Sequence, residues 1–377
     1  MSKHSLATLL LLAAGALNGC TAGPAHVPAL NGGLVQQART AQVPGGGTFT
    51  EYPMPPGANP AVFTKGPNGT LWFDSNVGGL YANGYNMYRF TESNGSVATF
   101  SQPSPLTAVT NPVTTNNLMY FVMLNPYGQG ENPEYLDYST SSGTISQVGS
   151  NQVGSDEQMG TLVLGPDGNL WFPDCVQVCT ETPDGFLRSI TTAGGGGVTV
   201  TLTNFDANQL TPGPLGYLYV TASYSLYYPP PPPNDDSHVY VVSTSGSIAH
   251  VFKLPHGSAP NGIASGPDHN LWIAEPGINK IARMTPAGTI KQFTVPTANA
   301  GAAWITGGAD GALWFTETNA NKIGRLTTSG GFREWNIPTA NAGAGYITYC
   351  YPNCGPHSGV WFSETTANQI GRFEAPI

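Results

Sequence analysis

The sequence has few charged residues, and after its N-terminus it has no long hydrophobic run. Asp, Glu, Lys and Arg make up 9% of the 377 residues, whereas they make up about a quarter of an average soluble domain. With 13 basic and 22 acidic residues, the formal net charge is −9. This balance argues against a nucleic-acid-binding protein, which would need basic patches. No stretch after the N-terminal region is apolar enough to span a membrane.

Glycine and proline, by contrast, are abundant, with 48 and 33 residues. Both residues destabilise helix interiors, so a mainly helical protein is excluded. Disorder is also excluded, because hydrophobic residues make up 40% of the chain and aromatic residues 10%, which is enough for a large core. The composition therefore predicts an all-β protein with many turns.

The N-terminus has the pattern of an export signal. Residues 6–17 form an uncharged apolar run that is too short to span a bilayer but suits the hydrophobic region of a signal peptide. The run ends in Leu-Asn-Gly-Cys, which resembles the lipobox of bacterial lipoproteins, and the alternative is a plain secretory signal. We expect a lipoprotein signal peptide over 1–19, lipidation at Cys20 and a flexible tether over 20–46.

This interpretation predicts a location in the bacterial cell envelope. The lipid is the only expected membrane anchor. In a bacterium with two membranes, the threonine after Cys20 favours the outer one by analogy with other lipoproteins. If the signal is a plain secretory one, we expect a secreted protein.

Internal repeats dominate the rest of the chain. The segment VPTANAGA at 295–302 recurs as IPTANAGA at 337–344. One aromatic position can be followed through seven units spaced by 42–53 residues, at Trp72, Tyr120, Trp171, Tyr219, Trp272, Trp314 and Trp361. Repeats of this length with several short strands each are typical of β-propellers. We predict a seven-bladed β-propeller of four-stranded blades over 47–377.

The two ends of the repeat region predict how the ring closes. Residues 48–54 resemble the fourth strand of a unit, and residues 369–373 resemble a third strand. The N-terminal strand should therefore complete the last blade and remove its exposed edge. In five of the seven units an arginine follows the aromatic position, and the spacing predicts that Trp314 faces Arg325. It also relates Trp171 to Arg188 across a longer loop.

Two repeated motifs carry a resemblance to a known family. These are GPDGNLWF at 165–172 and NKIGR at 321–325. The units resemble those of the virginiamycin B lyase (streptogramin B lyase) family over most of 47–377, most strongly over 252–377. The resemblance implies a seven-bladed propeller that opens the ester ring of a cyclic peptide antibiotic by Mg²⁺-assisted elimination. In that reaction a histidine removes a proton, helped by glutamate and the metal.

The sequence departs from the family at the histidine positions. The family's Pro-His-(Gly/Ala)-Ile motif falls where first strands begin, and here those positions hold Asn261, Ala303 and Gly345. A glutamate expected two residues before one histidine falls on Gly343. None of these side chains can act as a general base. We therefore expect a propeller that binds a ligand or partner. The alternative is a lyase or related hydrolase with a modified site, and only this alternative implies Mg²⁺.

Acidic residues recur at the ends of the predicted second strands, at Asp74, Asp174, Glu275, Glu317 and Glu364. In a ring of blades, such carboxylates could together bind a cation. The alternative is that each one accepts hydrogen bonds from its own hairpin loop or pairs with a local lysine such as Lys280 or Lys322.

The loops after the second strands of blades one to four are long and rich in tyrosine. They include Tyr81, Tyr85 and Tyr224, and a run of five prolines at 229–233. Tyrosines with few charges suit the binding of a small molecule, a carbohydrate or a protein. The alternative is insertion drift in exposed loops. We expect a monomer whose acidic ends, tyrosine loops and Asn261 share one face.

The remaining candidate ligands are cysteines and histidines. Cys175 and Cys179 form one pair, and Cys350 and Cys354 form another. Four cysteines can bind zinc, but these two pairs lie in loops on opposite faces of a propeller, so two local disulfides are expected. No two histidines have metal-ligand spacing on one element, and His256 is expected to have a solvated role in a connection.

Overall fold

The structure is a computed structural model. It describes residues 30–35, 37–66, 69–75, 86–101, 108–115, 118–124, 133–139, 145–155, 160–174, 184–193, 195–224, 236–350 and 359–375. The predicted positions Cys20, Tyr81, Tyr85, Cys175, Cys179 and Cys354 lie outside these ranges. For Asp74 and Cys350 the structure describes the backbone alone.

The described chain is made almost entirely of β-strands. The first fifteen are β1 (Leu30–Val35), β2 (Arg39–Gln42), β3 (Thr48–Pro53), β4 (Pro60–Gly66), β5 (Thr70–Ser75), β6 (Asn86–Thr91), β7 (Ser96–Ser101), β8 (Ala108–Thr115), β9 (Leu118–Leu124), β10 (Pro133–Ser139), β11 (Ile145–Ser155), β12 (Val163–Leu164), β13 (Leu170–Asp174), β14 (Gly185–Ile190) and β15 (Gly196–Leu202).

The second half continues the same pattern. Its strands are β16 (Phe205–Pro212), β17 (Leu218–Tyr224), β18 (Ser237–Val242), β19 (Ile248–Lys253), β20 (Ile263–Ser265), β21 (Leu271–Glu275), β22 (Lys280–Met284), β23 (Ile290–Thr294), β24 (Ala302–Gly307), β25 (Ala312–Glu317), β26 (Lys322–Thr327), β27 (Phe332–Asn336), β28 (Ala344–Cys350), β29 (Gly359–Glu364) and β30 (Gln369–Glu374). Two short 3₁₀ turns occupy Pro214–Gly216 and Pro276–Ile278. No helix in the described ranges is long and apolar enough to cross a membrane.

The strands form seven antiparallel sheets. Five sheets contain four consecutive strands each, namely β8–β11, β12–β15, β16–β19, β20–β23 and β24–β27. The other two contain five strands, in the orders β1-β7-β6-β5-β4 and β2-β3-β30-β29-β28. The first strands contact one another in sequence, from β4 through β8, β12, β16, β20 and β24 to β28, and β28 contacts β4 again. The prediction of an all-β propeller with four-stranded blades is confirmed.

The N-terminal strand pairs with the last strand, as the sequence predicts. In the β3–β30 ladder, Phe49 lies opposite Phe373 and Tyr52 opposite Ile370. Phe49 is fully buried, and its ring centroid lies 4.4 Å from that of Phe373. An apolar contact between the two ends of the repeat region therefore closes the ring.

Two strands lie inside the range 20–46, for which the sequence predicts a tether. β1 pairs with the outer strand β7 of the first sheet, and β2 forms a hairpin with β3. Both add a fifth strand to an edge that would otherwise present unpaired backbone groups. Described strands therefore lie before residue 47, inside the range predicted as a tether.

The aspartate of the repeated Gly-x-Asp turn accepts a hydrogen bond from the tryptophan that follows it. The indole Nε1 of Trp272 donates to Asp268 Oδ1 at 2.9 Å, and that of Trp314 donates to Asp310 Oδ1 at 3.2 Å. Burying an indole N–H without a partner is costly. The turn aspartate therefore makes it favourable to place a buried tryptophan in the second strand.

The predicted contact between tryptophan and arginine is confirmed in four sheets and wrong in one. Arg325 lies opposite Trp314, and its guanidinium carbon is 5.7 Å from the ring centroid. Contacts of 5.6–5.9 Å recur between Arg89 and Trp72, Arg283 and Trp272, and Arg372 and Trp361. In the third sheet the register instead places Phe172 opposite Arg188 and Ser189 opposite Trp171.

An asparagine connects each late blade to the segment that follows its outer strand. Asn321 has a left-handed φ of 56°, and its Nδ2 donates to the carbonyls of Ile337 and Thr339 at 3.2 and 2.9 Å. Asn368 does the same with Met54 and Pro55 at 3.2 and 2.9 Å. The N-terminal segment after β3 thus takes the place of the TANAGA repeat at the ring closure.

Candidate functional site

Acidic residues end the second strands on one face of the ring, as the sequence predicts. β13 ends at Asp174, β21 at Glu275, β25 at Glu317 and β29 at Glu364, and Asp74 is the penultimate residue of β5. The four carboxylates whose side chains the structure describes are at most 1% exposed. We call this side the acid face. The opposite side, where the second strands begin, is the turn face.

Glu275 is held by neutral donors from its own part of the ring. Its Oε1 accepts a hydrogen bond from Ser258 Oγ at 3.1 Å, and its Oε2 accepts one from Gln292 Nε2 at 2.6 Å. Burial raises the pKa of Glu275, while these hydrogen bonds and the charge of Lys280 oppose the rise. The hydrogen-bond partners of Glu275 are therefore local, but they are Ser258 before β20 and Gln292 on β23 rather than the hairpin loop after β21 or Lys280.

Glu317 lies in a different environment, beside a second carboxylate. Burial and the neighbouring Glu334 together raise the pKa of Glu317 to about 8, although Lys322 lowers it. Lys322 Nζ donates instead to Glu334 Oε2 at 3.3 Å. Burial alone would raise the pKa of Glu334, but hydrogen bonds from Thr297 and Lys322 hold it below its usual value. Glu317 is therefore neutral near pH 7, and Glu334 is ionised.

Glu364 repeats this arrangement at the ring closure, without a lysine. Burial raises the pKa of Glu364 to about 8, and the charge of Glu51 on β3 contributes. Neither carboxyl oxygen of Glu364 has a hydrogen-bond partner among the described residues. Glu51 accepts from the backbone N–H of Thr339 at 2.9 Å and from its hydroxyl at 3.0 Å. A Cβ at Gly371 would lie 2.5 Å from Glu364 Oε1, so the glycine leaves room for the buried carboxyl group.

Asp174 has a cationic partner because of the changed register in its sheet. Arg188 lies opposite Phe172, on the same side of the sheet as Asp174, and its Nε is 2.6 Å from Asp174 Oδ2. In the β24–β27 sheet the position opposite the equivalent phenylalanine is Gly324. The arginine of the third blade therefore pairs with the acidic end of its strand.

No described contact joins two of the carboxylates that end the second strands. The described contacts of Asp174, Glu317 and Glu364 lie within their own sheets, and Glu275 contacts its own sheet and the segment just before it. No group of three or more His, Cys, Asp or Glu residues in the described ranges could hold a metal ion. The described acidic residues thus do not fit the Mg²⁺ ion that the lyase alternative implies.

The positions that the resemblance assigns to histidines lie on the acid face. Asn261 is engaged through its backbone, since its N–H donates to Ala274 O at 3.0 Å and its carbonyl accepts from Thr221 Oγ1 at 2.7 Å. A Cβ at Gly345 would lie 2.8 Å from Ser363 Oγ. Gly343 has a φ of 71°, and a Cβ there would collide with Thr366 Oγ1. The backbone at 343 therefore resists a glutamate, whereas at 345 the serine side chain would have to move to accommodate a Cβ.

Tyr224 is the only one of the three predicted binding tyrosines in the described part of the chain. It ends β17, and its ring meets that of Phe205 edge to face at 5.5 Å between centroids. This contact places Tyr224 on the acid face. The proline run at 229–233 lies outside the described residues.

A histidine that the sequence analysis assigned only a solvated role has an orienting partner on the acid face. The Nδ1 atom of His256 is 3.0 Å from Asp236 Oδ2, and the imidazole side chain is 60% exposed. Asp236 is itself fixed by the backbone N–H of Gly257 at 3.1 Å. The pair is separated by 20 residues of sequence and belongs to no repeat motif, so no local pattern marks it.

Comparison with solved structures supports the β-propeller architecture. A streptogramin B lyase structure aligns over 87% of this chain and 97% of its own, with a TM-score of 0.66 and 24% identity. Inactive virginiamycin B lyase from Staphylococcus aureus with quinupristin aligns over 87% and 99%, with a TM-score of 0.67 and 24% identity. The Pan2 WD40 domain of Neurospora crassa aligns over 91% and 98%, with a TM-score of 0.55 and 11% identity. At these identities the likeness shows the fold alone.

Comparison of the sequence itself points to one family. The model of the virginiamycin B lyase family matches residues 232–376, which is less than half of the chain. No curated protein matches the sequence. The chain therefore has the propeller fold of these lyases, and its C-terminal blades resemble that family.

Proposed function

We propose that this chain is a lipid-anchored, seven-bladed propeller of the bacterial cell envelope that binds a ligand or partner on its acid face. The observation that carries the proposal is the chemistry of the three positions Asn261, Ala303 and Gly345. An amide, a methyl group and a hydrogen atom supply no general base for proton abstraction. The conformation of Gly343 supports this proposal, because its positive φ and the nearby Thr366 backbone nitrogen disfavour a glutamate at that position.

Binding on the acid face is tested most directly through its long loops. A carbohydrate and peptide array should be probed with the purified chain and with a variant that carries Tyr81→Ala, Tyr85→Ala and a deletion of 224–233. We expect the wild-type signals to be lost in this variant and kept in a turn-face control, Asp167→Asn. Unchanged signals from the loop variant would contradict binding at this face.

Anchoring depends on one cysteine. In the full chain produced in a bacterial host, we expect the wild type to sediment with membranes and to be released by detergent but not by alkaline carbonate. A Cys20→Ser variant should move to the soluble fraction, because one lipidated cysteine is the only proposed anchor. Cys175→Ser serves as the matched control and should stay with the membranes. If Cys20→Ser also stays there, the anchor is not at Cys20.

A second candidate function is a lyase or related hydrolase with a relocated base. The pair formed by His256 and Asp236 favours it, because a carboxylate that orients one imidazole nitrogen leaves the other free to accept a proton. The exposed imidazole lies on the same face as the positions without histidine. This candidate predicts turnover that depends on His256.

A further inference from the structure

The last three sheets differ at one position of their third strands. In the β20–β23 and β24–β27 sheets, the glutamate that ends the second strand lies opposite a lysine, Lys280 and Lys322 respectively. In the closing sheet, formed by β2, β3, β28, β29 and β30, the equivalent Glu364 lies opposite Gln369. The closing sheet therefore has an uncharged amide at the position of a lysine.

Lys322 shows what a cation does at this position. Its Nζ donates to Thr297 Oγ1 at 2.6 Å and to Glu334 Oε2 at 3.3 Å. Thr297 in turn donates to Glu334 from its backbone N–H at 3.1 Å and from its hydroxyl at 2.8 Å. The same ammonium group lowers the pKa of Glu317. One positive charge therefore stabilises two neighbouring carboxylates.

The closing sheet repeats the acceptors of this arrangement but not the cation. Glu51 takes the place of Glu334, because each lies opposite the glycine of the third strand. Thr339 takes the place of Thr297 and donates to Glu51 from its backbone N–H at 2.9 Å and from its hydroxyl at 3.0 Å. Neither Glu51 nor Glu364 forms an ion pair with a described residue. Two neighbouring carboxyl groups thus share an environment without a positive charge.

Gln369 adds a buried oxygen that has no donor. The residue is 7% exposed, and its Oε1 has no hydrogen-bond partner among the described residues. The side chains of Gln369 and Glu364 lie directly opposite each other on one side of the sheet, and Glu51 lies on that side too. Buried polar atoms without partners are rare and costly, so each calls for an explanation. Here such oxygens surround the place where the β24–β27 sheet has its ammonium group.

We propose that this place in the closing sheet binds a monovalent cation of about the size of ammonium, such as K⁺. The ligands are the carboxylates of Glu51 and Glu364, Gln369 Oε1 and Thr339 Oγ1, and oxygen ligands of this kind suit hard cations. A single positive charge reproduces the charge of the lysine in the neighbouring sheet. The ion stabilises the blade that closes the ring, and the site does not depend on the function proposed for the acid face.

The test measures the melting temperature of the purified chain at pH 9, above the pKa of about 8 of Glu364. KCl is compared with choline chloride at the same concentration of about 100 mM, so that both salts screen surface charges equally. Choline is too bulky for the site. We expect the wild type to melt at least about 2 °C higher in KCl, because an ion that binds only the folded chain stabilises it. Equal melting temperatures in the two salts would overturn the proposal.

Three variants locate the ion. Gln369→Lys supplies its own ammonium group and should melt at the same temperature in both salts, and Gln369→Leu, which removes the amide oxygen, should lose most of the KCl shift. Lys322→Gln recreates the arrangement of the closing sheet beside Glu317 and should show a larger KCl shift than the wild type. An undiminished shift in Gln369→Lys or Gln369→Leu would overturn the proposal. A wild type that responds to CaCl₂ but not to KCl would overturn it in favour of a divalent site.

Discussion

The protein should lose at least about 2 kcal/mol of its free energy of unfolding between pH 5 and pH 9. Glu317 and Glu364 have pKa values of about 8 in the folded state, whereas the ordinary pKa of a glutamate is 4.5. A carboxyl group with a raised pKa binds its proton more tightly in the folded chain. Its contribution to stability is therefore complete below about pH 4.5 and is lost as the pH rises through about 8.

Substitutions at the two carboxyl groups test the cause of this loss. Glu317→Gln and Glu364→Gln together keep a neutral side chain of the same shape, so the double variant should lose less stability between pH 5 and pH 9. Urea titrations at both pH values measure the difference. Asp268→Asn is the control, because hydrogen bonds from Trp272 and Asn270 outweigh burial and lower the pKa of Asp268, which thus titrates below this range. It should lower stability at both pH values and keep the difference.

Glu92 should contribute to the same trend. Burial raises the pKa of Glu92 to about 7, while Arg372 and Lys65 lower it. Because this pKa is about 7, Glu92 also ionises within the range from pH 5 to pH 9. Its charged neighbours are Lys65 of the first sheet and Arg372 of the closing sheet. A wild-type protein equally stable at both pH values would contradict the burial of all three groups as acids. A double variant with the same pH dependence as the wild type would contradict the role of Glu317 and Glu364.

Much of the fold could be predicted from the sequence because the repeats mark turns, strands and their order. The turn before Trp314, the acidic end at Glu317 and the pairing of β3 with β30 all follow from aligning one unit with the next. The pairing of Arg188 could not be predicted, since a spacing across a long loop does not determine strand register. A shift of one residue moves a side chain to the other side of the sheet.

The predicted site is reproduced less completely than the fold. The sequence predicts which strands end in carboxylates, but it cannot show that Glu334 and Glu51 come from outer strands to lie beside two of them. These contacts depend on the distance between strands, which no local motif encodes. The pair of His256 and Asp236 is missing from the sequence analysis for the same reason.

We also expect that the protein does not catalyse the ring opening of a streptogramin B antibiotic. The elimination that the sequence resemblance implies removes a proton and breaks the ester C–O bond, so the ring would open without a change of mass. The chain offers no base at Asn261, Ala303 or Gly345. General acid–base catalysis typically contributes about 10²–10⁴-fold to a rate. Without it, the rate of ring opening should not differ from that of the buffer.

The most direct measurement incubates the purified protein with quinupristin and Mg²⁺ and follows the antibiotic by chromatography with mass detection. An active streptogramin B lyase is the positive control. The account predicts that quinupristin keeps its retention time and mass at high protein concentration. An isomer of equal mass at a new retention time would contradict it, and loss of that product in a His256→Ala variant would identify the base. A product heavier by one water would contradict it in favour of a hydrolase.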